Sequence, residues 1–190
     1  MAIVHTFDAA TSGRHDAHDW WADWYRVAVP GYLTHEIVSD VGLQKAGVDH
    51  RLRLDGGGEI LVDVKCRCTC REWHDDFLVE VWSDRDRKIP GWALKSLRCH
   101  YIAYVYPQHG VGYLIPFALL RRTYERNKRQ WAEELKNGSG FREVNADNGD
   151  YVTKSVAVPF SVFQAQVVDS MRVFLPTAAD EFSAADMEPM

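Results

Sequence analysis

The sequence predicts an α/β protein with one mixed β-sheet flanked by helices. Three features favour this class: an amphipathic helical pattern near the start, several short apolar segments bounded by glycine or proline, and a long amphipathic helix in the second half. Helical and strand-like segments that alternate in this way are typical of helices packed on a sheet. With 190 residues, 46% of them hydrophobic, we expect one core and a single domain over residues 1–176.

Helices are predicted where apolar residues recur with a period near 3.6. Pro30 and Gly31 end the first of these patterns, while Pro116 and Gly138 bound the longest. The predicted helices are residues 16–28, a short piece after Thr34, the end of segment 90–98, residues 116–138 and residues 161–174.

Strands are predicted where apolar residues alternate or form short runs between turn residues. The glycine-rich residues 55–58 supply the backbone conformations of a tight turn, so the strands on either side should form a hairpin. Residues 137–150 are expected to be a long loop. The predicted strands are residues 48–54, 59–69, 76–83, 100–107, 112–117 and 150–158.

Charge is unevenly distributed along the chain, which has a net charge of -5. Residues 177–190 contain four acidic residues and no lysine or arginine, and we expect this tail to be disordered. A local basic surface is therefore compatible with the negative net charge of the chain. No segment approaches the roughly 20 apolar residues of a membrane span, and the first residues do not resemble a signal peptide, so we expect a cytoplasmic protein that does not enter a membrane.

The four cysteines favour reduced thiols, because three of them are crowded on alternate residues. Cys66, Cys68 and Cys70 with His74 would be the residue types of a zinc site. Alternate residues on one strand lie about 7 Å apart, however, which is too far for one tetrahedral ion without a bend. We therefore favour small core residues over zinc ligands.

Two opposite charges interrupt the apolar segment 59–69. Side chains on a strand alternate between faces, so Asp63, Lys65 and Arg67 share one face and apolar residues share the other. Asp49 lies near the start of the partner strand of the hairpin, just after Gly47 and Val48, and should approach Asp63. Two converging carboxylates favour a hard cation such as Mg²⁺ or Mn²⁺. The lysine would then orient or deprotonate an attacking water, or stabilise charge developing on a phosphate.

Asp49, a gap of 13 residues, and then Asp63-Val64-Lys65 resemble the D…(D/E)xK signature of the PD-(D/E)XK nuclease superfamily. The resemblance covers about residues 16–134, and Val48 stands where the name of the superfamily has proline. It implies a restriction-endonuclease-like αβββαβ core. It also implies that Asp49, Asp63 and the carbonyl of Val64 bind the metal, and that Lys65 is the catalytic lysine.

Further acidic residues are candidates for the same site. Many members of the superfamily add a carboxylate from the first helical region, and the resemblance makes Glu36 and Asp40 the candidates for it here. Glu80 is a separate candidate catalytic residue because it interrupts an apolar strand, where an unpaired charge would cost several kcal/mol. An ion pair with a nearby arginine is the alternative for Glu80.

Four arginines are candidate contacts to the phosphates of a nucleic acid, which a nuclease must hold in place. They are Arg67 on the charged strand face and Arg122, Arg126 and Arg129 on one flank of the long helix. A solvated helix face is the alternative for the last three. A surface ion pair without a metal is likewise the alternative for Asp63 and Lys65.

These features predict a divalent-metal-dependent nuclease that cleaves DNA, a stand-alone enzyme such as one from a phage or mobile element. The alternative is a catalytically inactive protein of the same fold that binds nucleic acid or a protein partner. A zinc-stabilised interaction module is a third hypothesis. The sequence leaves open whether DNA or RNA is cut, whether ends or internal bonds are preferred, and whether a homodimer forms.

Overall fold

The computed structural model describes residues 5–6, 20–67 and 74–172, which form two five-stranded sheets flanked by helices. The predicted disordered tail and the start of the predicted first helix lie outside these residues. In spatial order, sheet A contains β1 (His5–Thr6), β9 (Arg142–Asp147), β10 (Val152–Pro159), β5 (Asp76–Asp84) and β6 (Ile89–Pro90). Sheet B contains β2 (Tyr32–Ile37), β3 (His50–Leu54), β4 (Glu59–Cys66), β7 (Tyr101–Tyr106) and β8 (Val111–Pro116).

Four α-helices complete the described part of the chain: α1 (Trp20–Ala28), α2 (Val41–Lys45), α3 (Phe117–Asn137) and α4 (Phe160–Ser170). The predicted ends of α3 are confirmed. Pro116 precedes its first residue, and Gly138 ends it in the left-handed conformation at φ 71°. Within the described residues, no helix combines the length and the apolar character needed to cross a membrane.

Sheet B is a mixed sheet. The strands β2, β3 and β4 form an antiparallel meander, after which β7 pairs with β4 in parallel and β8 pairs with β7 in antiparallel. Asp63 lies opposite Ile102 and Lys65 lies opposite Tyr104 in the parallel ladder. Because directly paired residues point to the same side, these four side chains share one face of sheet B.

The two faces of sheet B contact different parts of the core. Val62 and Val64 pack with Trp21 and Tyr25 of α1 on one face. The opposite face, which includes Ile102, packs with sheet A, α3 and α4. The predicted separation of apolar and charged faces on β4 is therefore confirmed, but the charged face points into the molecule rather than toward solvent.

Several predicted elements are wrong. Two sheets replace the single predicted sheet, and the predicted loop 137–150 contains β9. The short helical piece expected between Thr34 and the turn at Lys45 is confirmed only as α2, because the chain up to Ile37 forms β2. Ile37, Val38 and Val41 have helical spacing, yet Ile37 and Val41 are exposed and only Val38 is buried, because pairing with β3 fixes this segment. The short helix predicted near residue 98 is absent from the described residues, where β6 is followed by turns.

The prediction of reduced thiols is wrong for Cys66, which is disulfide-bonded. Cys99 is free and buried, as expected of a small core residue. Cys68 and Cys70 lie outside the described residues.

Candidate active site

A cavity of about 100 Å³ lies next to the charged face of β4. Strand β4 supplies two of its side chains, strand β5 of the other sheet supplies one, and the remainder come from the segments that precede β3 and β7. Its lining residues are Gln44, Lys45, Gly47, Asp63, Lys65, Glu80, Trp92, Lys95 and Leu97.

Asp63 is the most buried acidic residue of this cavity, with 3% of its surface exposed. Lys65 Nζ donates a hydrogen bond of 2.6 Å to Asp63 Oδ1. The other carboxylate oxygen, Oδ2, is buried and has no hydrogen-bond partner among the described residues. A buried carboxylate oxygen without a donor is costly, so this position favours a proton or a cation.

Asp49 lies beside Asp63, as the hairpin predicts. Its backbone N–H donates to Val62 O at 2.9 Å, and its Oδ2 accepts a hydrogen bond of 2.8 Å from the N–H of Val64. These bonds hold the Asp49 carboxylate against β4. Burial raises the pKa of Asp63 to about 6, and the charge and hydrogen bond of Lys65 oppose this rise. The charge of Asp49 and a hydrogen bond to its carboxyl group, which needs a shared proton, add to the rise.

The side chain of Lys65 is protonated and positively charged in this environment. Burial alone would lower the pKa of Lys65, but the charges of Asp63 and Asp49 outweigh burial and raise it above the ordinary value. At neutral pH Lys65 therefore offers a positive charge and hydrogen-bond donors rather than a proton acceptor.

Glu80 enters the cavity from sheet A. The register between β10 and β5 shifts by one residue between Lys154 and Ser155, next to Glu80, and such irregularities change the direction of side chains. Burial raises the pKa of Glu80, while the charge of Lys65 and a backbone hydrogen bond from Trp92 oppose that rise. Glu80 is thus a third carboxylate near Lys65, contributed by the opposite sheet.

The two acids expected from the first helical region lie elsewhere. Asp40 caps α2, where its Oδ1 accepts a hydrogen bond of 2.7 Å from the N–H of Leu43. Glu36 accepts a hydrogen bond of 2.8 Å from Arg51. Both acids line a separate cavity of about 230 Å³. The prediction that Asp40 shares a site with Asp63 therefore finds no support in the fold. For Val64, whose backbone N–H binds Asp49, the carbonyl as a metal ligand stays a prediction.

Arg67 is mostly enclosed by protein, with 13% of its side chain exposed. Its guanidinium donates to Asp76 at 3.4 Å and to the hydroxyl of Tyr104 at 3.2 Å. Arg67 therefore connects sheet B to β5 of sheet A. A role in holding nucleic acid would require it to leave these partners.

Two of the three candidate arginines on α3 contact the end of the described chain rather than the cavity. Arg126 pairs with Asp169 of α4 at 3.3 Å, and Arg122 donates to the carbonyl of Arg172 at 2.9 Å. Arg129 is exposed on the same helix. Their contact with nucleic acid stays a prediction.

Lys45 and Lys95 line the cavity, although the sequence did not single them out. Lys45 belongs to a five-residue helix and Lys95 to a turn, and neither lies in a motif. Only the packing of these two segments against each other brings them together, so the sequence contained no signal for this pair.

The carboxylates of Asp49 and Asp63 fit a hard divalent cation that takes its other ligands from water or substrate. Mg²⁺ is commonly held by one or two carboxylates and by substrate phosphates. No group of three or more histidine, cysteine, aspartate or glutamate side chains in the described part of the chain is arranged to hold a metal ion. Comparisons with protein-family models, curated proteins and solved structures found no match.

Proposed function

We propose that the protein is a divalent-metal-dependent nuclease that hydrolyses phosphodiester bonds of DNA. The observation that supports this most is the buried Oδ2 of Asp63, for which the described residues offer no hydrogen-bond donor. The Asp63 carboxyl group lies beside Asp49 and lines a cavity that lysines also line. Such an oxygen is costly in a purely structural ion pair and favourable as a cation ligand.

The topology of sheet B supports a restriction-endonuclease-like core. Helix α1 is followed by the antiparallel meander β2, β3 and β4 and by β7, which is parallel to β4. Asp49 precedes the middle strand of the meander, and Asp63 and Lys65 lie in its third strand. Where the resemblance implies a second helix, between β4 and β7, the residues that the structure describes form β5, β6 and turns.

The chemistry follows from the charges around the cavity. Mg²⁺ or Mn²⁺, when bound, would polarise the phosphodiester and neutralise its charge. Asp49 and Asp63 would hold the ion, and the ammonium of Lys65 would stabilise the charge that develops on the phosphate. Glu80 is the remaining carboxylate of the cavity and would accept a proton from the attacking water. As the water oxygen bonds to phosphorus, the bond from phosphorus to the leaving sugar oxygen would break, and that oxygen would take a proton from solvent.

Two observations favour a second candidate, a catalytically inactive protein of this fold that binds nucleic acid or a protein partner. Lys65 Nζ contacts Asp63 Oδ1 directly, and Glu36 and Asp40 lie in another cavity. The charge of Asp63 is thus partly balanced without a metal.

Cleavage of supercoiled plasmid with Mg²⁺ or Mn²⁺ distinguishes the two candidates. We expect wild type to cut, and we expect Lys65→Ala and Asp49→Asn to lose at least about a hundredfold in rate. The side-chain amide oxygen in Asp49→Asn can still accept the hydrogen bond from Val64, so that variant should fold. Lys136→Ala, an exposed change on α3, serves as the control. Equal cutting by wild type and Lys65→Ala would contradict the mechanism, and no cutting by wild type would favour the second candidate.

A further inference from the structure

Lys45 and Lys95 border the same cavity from two separate segments. Neither lysine forms a direct ion pair with any residue in the described ranges, in contrast to Lys65, which is bound to Asp63. The charge of Lys95 nevertheless acts on Glu80 of the same cavity and lowers the pKa of that carboxyl group. We propose that Lys45 and Lys95 together bind one backbone phosphate of a nucleic-acid strand at the mouth of the cavity. The identity of this ligand rests on the proposed function, whereas its test needs no cleavage.

The segments that carry the two lysines are fixed to each other. The N–H of Arg98 donates a hydrogen bond of 2.8 Å to the carbonyl of Ala46. Gly47 has a φ of 74°, and a Cβ at this position would lie 2.9 Å from Cδ2 of Leu97. Only glycine allows both this backbone conformation and this close approach. The two lysines therefore border one opening of defined shape.

The backbone of Lys95 is anchored from two further directions. Its N–H donates to the carbonyl of Gly91 at 3.0 Å, and Arg121 of α3 donates to the Lys95 carbonyl at 2.8 Å. Gly91 in turn packs directly against Glu80, since a Cβ on Gly91 would lie 2.5 Å from the Glu80 carbonyl oxygen. The backbone of Lys95 is thus held while its ammonium group makes no ion pair with a described residue.

The size and charge of the cavity indicate how much of the ligand enters. The cavity is small, at about 100 Å³, and its lining is mostly polar and charged. A single phosphate group is the part of the ligand that we place at this opening, with the rest of the strand across its mouth. Asp63 and Glu80 repel an anion, which places the phosphate toward Lys45 and Lys95.

Binding of a fluorescein-labelled, single-stranded DNA of about 15 nucleotides in EDTA tests the site without metal or cleavage. The variants Lys45→Gln and Lys95→Gln keep the aliphatic stem and remove the charge. We expect each to weaken binding about twofold to fivefold, and each to reduce the slope of log affinity against log salt by about 0.7. Lys136→Gln is the matched control, because residue 136 lies 15 positions along α3 from Arg121, or about 22 Å. Circular dichroism and thermal unfolding establish that every variant is folded.

Unchanged binding and an unchanged salt slope in both lysine variants would overturn the phosphate site, even if wild type cuts DNA with Mg²⁺. Weaker binding of the DNA in Lys45→Gln and in Lys95→Gln, with unchanged binding in Lys136→Gln, would support the site. If wild type then failed to cut with any divalent metal, the nuclease proposal would fail while the phosphate site would stand. An effect of equal size in Lys136→Gln would show a general charge effect and would also overturn the site.

Discussion

Asp63 is a buried acid whose two oxygens have different environments. Oδ1 accepts a hydrogen bond from Lys65, whereas Oδ2 has no partner among the described residues. Burial raises the pKa of Glu80 and of the Cys99 thiol. The charge of Asp63 adds to both rises and that of Lys65 opposes them, so these two groups lie near the same charges. At neutral pH the protein therefore carries an ionised carboxylate that its surroundings disfavour, a common feature of sites that bind a cation or perform chemistry.

This environment predicts that Asp63 makes the protein less stable as pH rises from about 4 to about 6. The pKa of Asp63 is raised from 3.8 to about 6, so in this window the folded state binds more protons than the unfolded state. The stabilisation is fully present below pH 3.8 and is lost as pH rises through about 6. Between about pH 5 and about pH 7 we expect the Asp63 contribution to the free energy of unfolding to fall by about 1 kcal/mol.

Urea unfolding gives the free energy of unfolding of wild type and of Asp63→Asn at about pH 5 and about pH 7. The change between the two pH values in wild type, minus the same change in Asp63→Asn, is the contribution of Asp63. The difference is needed because burial lowers the pKa of His35, which acts with the opposite sign. The groups that face Asp63, namely Lys65, Asp49 and Glu80, are present in both proteins. An identical pH dependence in wild type and Asp63→Asn would contradict the assigned environment of Asp63.

The turn after β6 is the element that completes the cavity. Gly91 N–H donates to Val81 O at 2.7 Å, and Ala93 N–H donates to Glu80 O at 3.1 Å. These bonds attach the turn to β5 and leave no room for a side chain at residue 91, because a Cβ there would lie 2.8 Å from the Glu80 carbonyl carbon. The positions of Glu80 and Lys95 thus depend on one glycine.

Gly91→Ala should lower the free energy of unfolding by about 1 to 3 kcal/mol, because backbone atoms of β5 would have to move. Gly56→Ala is the matched control, since no heavy atom lies within 4 Å of its Cβ position and its φ is not positive. We expect a change below about 0.5 kcal/mol for that control. Urea unfolding of both variants measures the effect, and equal stability of the two would contradict the described packing.

The sequence predicted the elements whose signals are local. Gly57 adopts a φ of 76° in the hairpin turn, as predicted for this glycine-rich segment. Gly138 ends α3 at the residue that the sequence predicts. The helical piece expected after Thr34 begins only at Val41, because pairing with β3 keeps the residues up to Ile37 in a strand. Helix and strand propensities are weak compared with such tertiary contacts.

At the scale of the whole molecule, a polar network joins the two sheets. Asp76 of β5 accepts hydrogen bonds from Arg67 and, within sheet A, from Arg142. The hydroxyl of Tyr106 in sheet B donates to the Asp76 carbonyl at 2.6 Å, and the hydroxyl of Tyr104 accepts from the N–H of Leu78 at 3.1 Å. This network places β5, and with it Glu80, opposite β4.

Asp76→Asn should lower the free energy of unfolding by about 2 to 4 kcal/mol, because it removes a buried charge that two guanidinium groups share. Asp86→Asn is the control, since the ion pair between Asp86 and Arg85 is largely exposed and should contribute less than about 1 kcal/mol. Thermal or urea unfolding provides the comparison. Equal stability of the two variants would show that the network does not hold the sheets together.

The candidate site was only partly predictable from the sequence. The alternation of side chains along β4 and the pairing of the hairpin strands were sufficient to predict that Asp49 lies beside Asp63 and Lys65. The contribution of Glu80 depends on the second sheet, and those of Lys45 and Lys95 on contacts between distant loops, none of which has a local signal. Arg67 has the residue type of a phosphate contact, but burial against Asp76 gives it a structural role.

Binding of a divalent cation by Asp49 and Asp63 can be measured by titration with Mn²⁺, followed through the electron paramagnetic resonance signal of free Mn²⁺. We predict that wild type and Asp40→Asn bind about one Mn²⁺ per chain, and that Asp49→Asn binds at least about tenfold more weakly. An undiminished signal of free Mn²⁺ with wild type, or equal affinity in wild type and Asp49→Asn, would contradict cation binding by Asp49 and Asp63.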